Sequence, residues 1–237
     1  MQAAIERAAG DAKAIAQAGF DALVIENYGD APFFKDDVPD VTVAAMTACA
    51  LAAREAAPRL ALGINVLRND GAAALAVAAA SGAAFVRINV LSGARVTDQG
   101  VIEGRAAEVL RERARLGRGI RIFADVAVKH SAPLAERPFE EEVEELADRS
   151  LADAILVTGT GTGAPVDEGD LDRAVRASRV PVFVASGATE RTVAVLLAKC
   201  EGVIVGTAIK RARRAGGPVD PALAKRFAQR AQKLPVK

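Results

Sequence analysis

Short apolar runs alternate along this chain with longer stretches in which apolar residues recur every three or four positions. The runs cover residues 22–26, 60–66, 85–90, 120–126, 154–158, 180–186 and 202–206. Each is rich in valine and isoleucine and hardly alternates with polar residues, as expected of parallel strands covered on both faces. The stretches between them predict helices over 3–18, 41–57, 71–81, 104–116, 139–149, 169–177 and 189–198. A last helix, over 221–232, opens on Pro221. Strands alternating with helices predict an α/β fold with a parallel sheet and right-handed crossovers. No linker or low-complexity tract interrupts the 237 residues, so the expectation is a single domain over 1–237. That length is near the about 250 residues of a closed TIM-type (β/α)8 barrel. An open doubly wound sheet is the alternative, but Asn27-Tyr28-Gly29-Asp30-Ala31-Pro32, after the first run, is not a G-x-G-x-x-G turn. The pattern gives seven strands and eight helices, and it starts on a helix where a barrel starts on a strand.

In a parallel barrel the chemistry sits at the C-terminal ends of the strands and in the loops after them. Those ends here are polar or glycine: Glu26, Asn65, Asn89, Asp125, Thr158 with Gly159, Ser186 with Gly187, and Gly206 with Thr207. Within Ala124-Asp125-Val126-Ala127-Val128-Lys129-His130 an acid, a lysine and the sole histidine lie close together where a strand should end. If the strand continues, Asp125, Ala127 and Lys129 share one face. Glu26, Asp125, Lys129 and His130 are therefore the candidate catalytic groups, as acids, bases or, for Lys129, a charge stabiliser or Schiff-base amine. Asn65, Asn89, Asp98 and Thr158 are candidate substrate-binding residues. Gly159, Ser186, Gly187, Gly206 and Thr207 are candidates for holding a phosphate, because the last two barrel loops often present backbone N–H groups to an anion. The Gly159-Thr160-Gly161-Thr162-Gly163 run would add hydroxyls and free amides. Competing structural readings exist: Asp70 and Thr189 suit helix N-caps, and the two asparagines could satisfy loose backbone groups.

Composition narrows the partners. With 31 basic and 30 acidic side chains the net charge is +1, which gives no reason to expect nucleic acid or an anionic membrane. No run of about 18 uncharged apolar residues is present to span a bilayer. The opening residues read as an amphipathic helix rather than a leader, and a cytoplasmic location is expected. One histidine excludes a multi-histidine zinc site, and Ser186 lies outside a G-x-S-x-G elbow. Cys49 and Cys200 are far apart and read as structural thiols. A divalent cation shared by Glu26, Asp98 and Asp125 has no support in their spacing, so no cofactor is expected. The expected partner is a small anionic substrate.

Several blocks, in order, resemble the BtpA/SgcQ family: Ile25-Glu26-Asn27-Tyr28-Gly29-Asp30-Ala31-Pro32-Phe33, Asn65-Val66-Leu67-Arg68-Asn69-Asp70, Arg87-Ile88-Asn89-Val90-Leu91-Ser92-Gly93-Ala94, Val96-Thr97-Asp98-Gln99-Gly100-Val101-Ile102-Glu103-Gly104, the 124–130 block and Val157-Thr158-Gly159. The resemblance covers nearly the whole chain and implies a TIM-type barrel. The family is named for a role in photosystem I biogenesis in cyanobacteria, and it also occurs in organisms without photosynthesis. One branch sits among sugar-uptake genes. No reaction comes with it. Family members usually begin with a strand resembling Met-Val-His and a Pro-Leu-Pro-Gly loop, which this chain lacks. The expectation is a gap that another copy of the chain fills, as a homo-oligomer, or a misplaced first helix.

Taken together, the sequence predicts an enzyme acting by acid/base chemistry on a small phosphorylated sugar or nucleoside derivative, as an isomerase, epimerase, lyase or hydrolase. The alternatives are a non-catalytic assembly factor of the photosystem I biogenesis type and an inactive, truncated paralogue.

Overall fold

The computed structural model describes residues 1–117, 119–159, 161 and 164–232. Seven strands form one curled parallel sheet: β1 (Ala22–Glu26), β2 (Ala61–Asn65), β3 (Phe85–Ile88), β6 (Arg121–Val126), β8 (Ala154–Val157), β9 (Val182–Val184) and β10 (Gly202–Val203). They lie side by side in chain order, so β1 and β10 are the two edges. Around the convex side run α1 (Gln2–Ala18), α2 (Asp40–Ala56), α3 (Gly71–Ser81), α4 (Ala106–Leu116), α5 (Phe139–Glu144), α6 (Glu168–Ala177), α7 (Val193–Leu197) and α8 (Pro221–Ala231). This is the TIM-type architecture the alternation predicted, with seven barrel strands.

Alternation along each strand divides the core in two. Leu62 and Ile64, Val86 and Ile88, Ile122 and Val126, Ile155 and Val157, and Val182 and Val184 face outward and join the helices in one buried cluster. The intervening residues face the concave side. There Phe85 stacks on Phe123 with ring centroids 4.6 Å apart, and Phe123 meets Phe183 at 5.2 Å. These rings form a floor, and glycines on neighbouring strands make room for it. A Cβ on Gly63 would sit 2.3 Å from the Phe85 ring, and one on Gly202 would sit 2.6 Å from Phe183.

The helical layer continues past the sheet edges. α1 packs against both α2 and α8, Phe20 stacks on Phe227 at 6.1 Å, and Gln232 Nε2 donates to the Gly19 carbonyl at 3.1 Å. The first helix therefore keeps a place in the outer layer and is not displaced into the sheet.

Four features depart from the sequence reading. Three short strands, β4 (Ala94–Thr97), β5 (Gly100–Glu103) and β7 (Ser131–Pro133), form a separate antiparallel sheet in the order β5-β4-β7. They are too short and too exposed to show a buried-strand pattern. The helix expected over 189–198 shrinks to α7, because the Thr189 and Thr192 hydroxyls each accept from the other residue's backbone N–H and form a turn instead. The helix expected over 139–149 is α5 followed by a π-helical turn, Glu145–Arg149. The strand expected over 180–186 starts only at Val182, after a turn in which the Ser178 hydroxyl accepts from the Val180 N–H.

Candidate active site

Concave-facing positions at the C-terminal end of the sheet carry polar side chains where apolar ones would fill an ordinary barrel. β3 contributes Arg87 and, just beyond its end, Asn89. β2 contributes Asn65, and β6 contributes Asp125. All four are buried. The Arg87 guanidinium grips the Asp125 carboxylate with two bonds, Nε to Oδ2 at 3.1 Å and Nη2 to Oδ1 at 3.0 Å. The two side chains keep 6% and 0% of their surface. Asn89 Nδ2 donates a third bond to Asp125 Oδ2 at 2.5 Å. Asn65 Nδ2 donates to the Asn89 side-chain oxygen at 3.3 Å and to the Arg87 carbonyl at 3.0 Å.

The direction of each amide follows from groups that can only accept. Asp125 is an acceptor, so Asn89 turns its NH2 toward it and its oxygen toward Asn65. The Arg87 carbonyl is an acceptor too, so Asn65 places its NH2 between these two oxygens. Asn65 Oδ1 is thereby left buried with no partner, as are Thr158 Oγ1 and Ser186 Oγ. An unmet buried polar atom costs about 1–3 kcal/mol. Three of them at the C-terminal ends of three strands are what a site awaiting a polar ligand or ordered water would leave.

Cations gather at the same end. Arg68, buried in the loop after β2, donates from Nη2 to the Lys129 carbonyl at 2.8 Å. Burial pushes the pKa of Arg68 down, with the charges of Asp125 and Asp98 opposing it. Burial also acts most strongly on Arg87, but the charges of Asp125 and Glu26 and the bond to Asp125 outweigh it and hold the guanidinium above its usual pKa. For Lys129 burial wins. Its amine is pushed below the ordinary lysine value, Arg87 adds to the effect, and Glu26 and Asp125 offset only part of it. Lys210, after β10, is lowered chiefly by burial as well, against the charges of Glu26 and Asp11. A lysine with a depressed pKa supplies more free amine at neutral pH, for proton transfer or for attack on a carbonyl.

The sequence candidates fall into groups. Asn65, Asn89 and Asp125 meet in one network, and Lys129 lies within reach of its charges. Asp125 has both oxygens occupied and its side chain fully enclosed, which suits orienting Arg87 better than exchanging protons. Glu26 ends a strand expected to be covered on both faces and is itself exposed, because β1 is an edge of the sheet. It still acts electrostatically on Arg68, Arg87, Lys129 and Lys210. His130 is exposed at φ 57°, beside Gly161. Asp98 sits at the exposed tip of the β4–β5 hairpin, where its carboxylate accepts from Gln99 Nε2 at 2.6 Å.

The phosphate candidates are less uniform. Gly187 has φ 74°, and a Cβ there would lie 2.0 Å from the Ala164 carbonyl oxygen. A Cβ on Gly159 would lie 2.3 Å from the same atom. Both glycines thus make room for the loop through Ala164 and Pro165. Gly206 is exposed with open space around it, and Thr207 opens a short 3-10 turn. Thr160, Thr162 and Gly163 lie outside the described residues. Asp70 caps α3 as its alternative reading held: Oδ1 accepts from the Ala73 N–H at 2.8 Å and Oδ2 from the Val38 N–H at 2.9 Å.

Arg87, Arg68 and Lys210 are the site residues that sequence reasoning missed. Arg87 had a signal: it lies two positions before Asn89, in the middle of an apolar strand, and a charge there requires a buried partner. Among the described residues no group of three acids, histidines or cysteines converges as metal ligands would. No helix among them is long and apolar enough to cross a membrane.

Among the described residues, two cavities lie in or under the loops that follow the strands, and one of them reaches the network. One, of about 250 Å³, lies in the loop after β1, between Asn27, Asp30, Phe33, Phe34, Val38 and Leu67. The other, of about 230 Å³, lies under the β5-β4-β7 sheet and reaches Asn89 and Asp125.

Solved structures with this architecture include N-(5'-phosphoribosyl)anthranilate isomerase from Pyrococcus furiosus, with a TM-score of 0.61 at 15% identity, covering 95% of this chain and 94% of that one. Thiamine phosphate pyrophosphorylase from the same organism aligns with a TM-score of 0.63 at 15% identity, covering 95% of this chain and 89% of that one. At that identity the likeness is one of fold. Two relatives are much nearer in sequence. The photosystem I biogenesis protein BtpA of Synechocystis is 43% identical over 224 residues, 93% of this chain and 77% of its own length. An uncharacterised Archaeoglobus fulgidus protein is 44% identical over 232 residues, 98% of this chain and 91% of its own. The BtpA family profile matches residues 1–233, and the chain belongs to the BtpA family.

Proposed function

We propose that the chain is an enzyme that binds a small phosphorylated sugar or nucleoside derivative at the C-terminal end of its sheet and acts on it by proton transfer. The observation that carries this reading is the buried Arg87–Asp125–Asn89–Asn65 network, which ends in an unpartnered acceptor. A purely structural barrel gains nothing from burying four polar side chains in place of apolar ones. Lys129, Arg68 and Lys210 supply positive charge for an anionic ligand. Lys129 stabilises negative charge on the reacting atoms, and Glu26 exchanges the proton. Asp125 fixes Arg87, Asn65 and Asn89 orient hydroxyls, and Thr158, Ser186 and Thr207 offer hydroxyls to the phosphate. The phosphorylated compounds in the names of the two similar folds make such ligands the first to screen.

Thermal shift and calorimetry with inorganic phosphate and ribose 5-phosphate test the reading. Stabilisation by either that is lost in K129A is the expected result. No stabilisation by any phosphorylated compound in a broad set would overturn it. The name of the Synechocystis relative favours a second reading, a non-catalytic assembly factor. Full biological activity of a folded E26Q/K129A variant would select that one.

A further inference from the structure

We infer that the cavity under the three-stranded sheet is a second subsite, built for an uncharged single-ring heterocycle such as a pyrimidine base. Its position carries the first part of the argument. Asn89 and Asp125 belong both to the buried network and to the lining of this cavity, so a ligand in it adjoins the candidate active site. Its roof is the stretch from Ser92 through Arg95, and its far wall is α5 with the turn that follows.

The charges are matched. Arg95 pairs with Glu142, Arg137 pairs with Glu145 at 2.7 Å, and Asp125 is held by Arg87. All five of the charged residues along the lining therefore have an opposite partner. A charged ligand group would have to break one of these pairs or go unmatched, so the cavity selects an uncharged group. Anionic groups belong at the other side of the network, with Lys129 and Arg68.

Size and surface narrow the class further. The volume of about 230 Å³ lies below the about 300–1,000 Å³ of sites for drug-sized ligands. One ring fits and a large polycycle does not. Pro133, Leu134 and Leu146 give apolar surface for ring faces, while Ser92 gives polar atoms for a ring edge. Leu134 is 61% exposed at the rim, an apolar side chain left in water beside an apolar opening. A ring seated there would cover it. The inference rests on the proposed function only in placing the rest of the ligand at the strand ends. It selects the nucleoside type of substrate over a simple sugar phosphate.

Ala135 lies on the lining in an exposed loop, so a larger residue there blocks the opening without entering the core. The test compares wild type with A135F, using uridine, uridine 5'-monophosphate and inorganic phosphate as probes. Binding is read by calorimetry and by methyl NMR shifts of Val126 and Leu146. The expected result is that uridine shifts these methyls in wild type and not in A135F. Uridine 5'-monophosphate should bind at least tenfold tighter than phosphate to wild type and lose that advantage in A135F. Methyl shifts with uridine but no binding of phosphate would uphold the subsite while removing the anion-binding reading. Phosphate binding with no uridine shift, or an unchanged uridine response in A135F, would overturn the subsite and leave the proposed function standing.

Discussion

Removing the Asp125 carboxylate should unseat the centre of the site. In D125A the Arg87 guanidinium keeps its burial and loses both of its bonds to that carboxylate, while Asn89 Nδ2 loses its acceptor. Breaking one partner out of a buried ion pair costs about 3–5 kcal/mol, because the remaining charge has nothing to offset its desolvation. At about 2–4 °C per kcal/mol for a domain of this size, the melting temperature should fall by about 6–20 °C. R87M leaves the opposite charge stranded and should cost a similar amount. The double variant R87M/D125L removes both charges, and a buried pair replaced by apolar groups is often neutral in stability. Its remaining cost is the unmet Asn89 amide, about 1–3 kcal/mol. Urea titration of the four proteins gives the coupling energy directly. A double variant far more stable than the sum of the singles is expected. Additive losses, or a D125A cost under about 1 kcal/mol, would show that the pair is neither dry nor coupled.

Other consequences are simpler to read. G63A should destabilise by about 1–3 kcal/mol through overpacking, since its Cβ would fall 2.3 Å from the Phe85 ring, and F85L should recover part of the loss in the same melt. D70A removes the α3 cap and the bond to the Val38 N–H, and should lower stability by about 1–2 kcal/mol in urea. Lys129 predicts a pH dependence. Its folded pKa lies below the unfolded 10.5, so the unfolded chain binds more protons between the two values, and stability rises with pH across that window. K129M should therefore melt higher than wild type at pH 7, with the difference shrinking toward pH 10.5. A constant difference across that range would refute the burial of the charged amine.

The barrel was legible because its signal is redundant. Runs such as Phe85-Val86-Arg87-Ile88 and Ile120 to Val126 are mostly apolar and rich in branched side chains, and each precedes or follows a helix with clear periodicity. The seven-strand count survived because the edges β1 and β10 leave the same trace in sequence as the inner strands. Their exposure left none, and so β1, which ends in Glu26, read as a strand covered on both faces. The small sheet escaped because Ala94–Thr97 and Ser131–Pro133 are stabilised by pairing with each other, a contact between distant segments that local pattern does not record. At the site, asparagines and acids at strand ends were visible as types out of place. Which of them touch was not, since the Arg87–Asp125 contact depends on the stagger between β3 and β6. Arg87 itself stood out as a charge inside an apolar strand, but which acid it pairs with is not a local property of the sequence.

The β5-β4-β7 sheet ties together two loops that arise from different barrel strands, and one of them holds Lys129 two residues before its paired segment. β4 pairs with β7 from Arg95↔Pro133 to Thr97↔Ser131. An insertion or deletion in the loop after β3 would shift that register and carry Lys129 with it. The two loops are therefore a single evolutionary unit: their lengths should change together between related sequences or not at all. Exchanging one of them alone for a relative's loop of different length should fail where exchanging both succeeds.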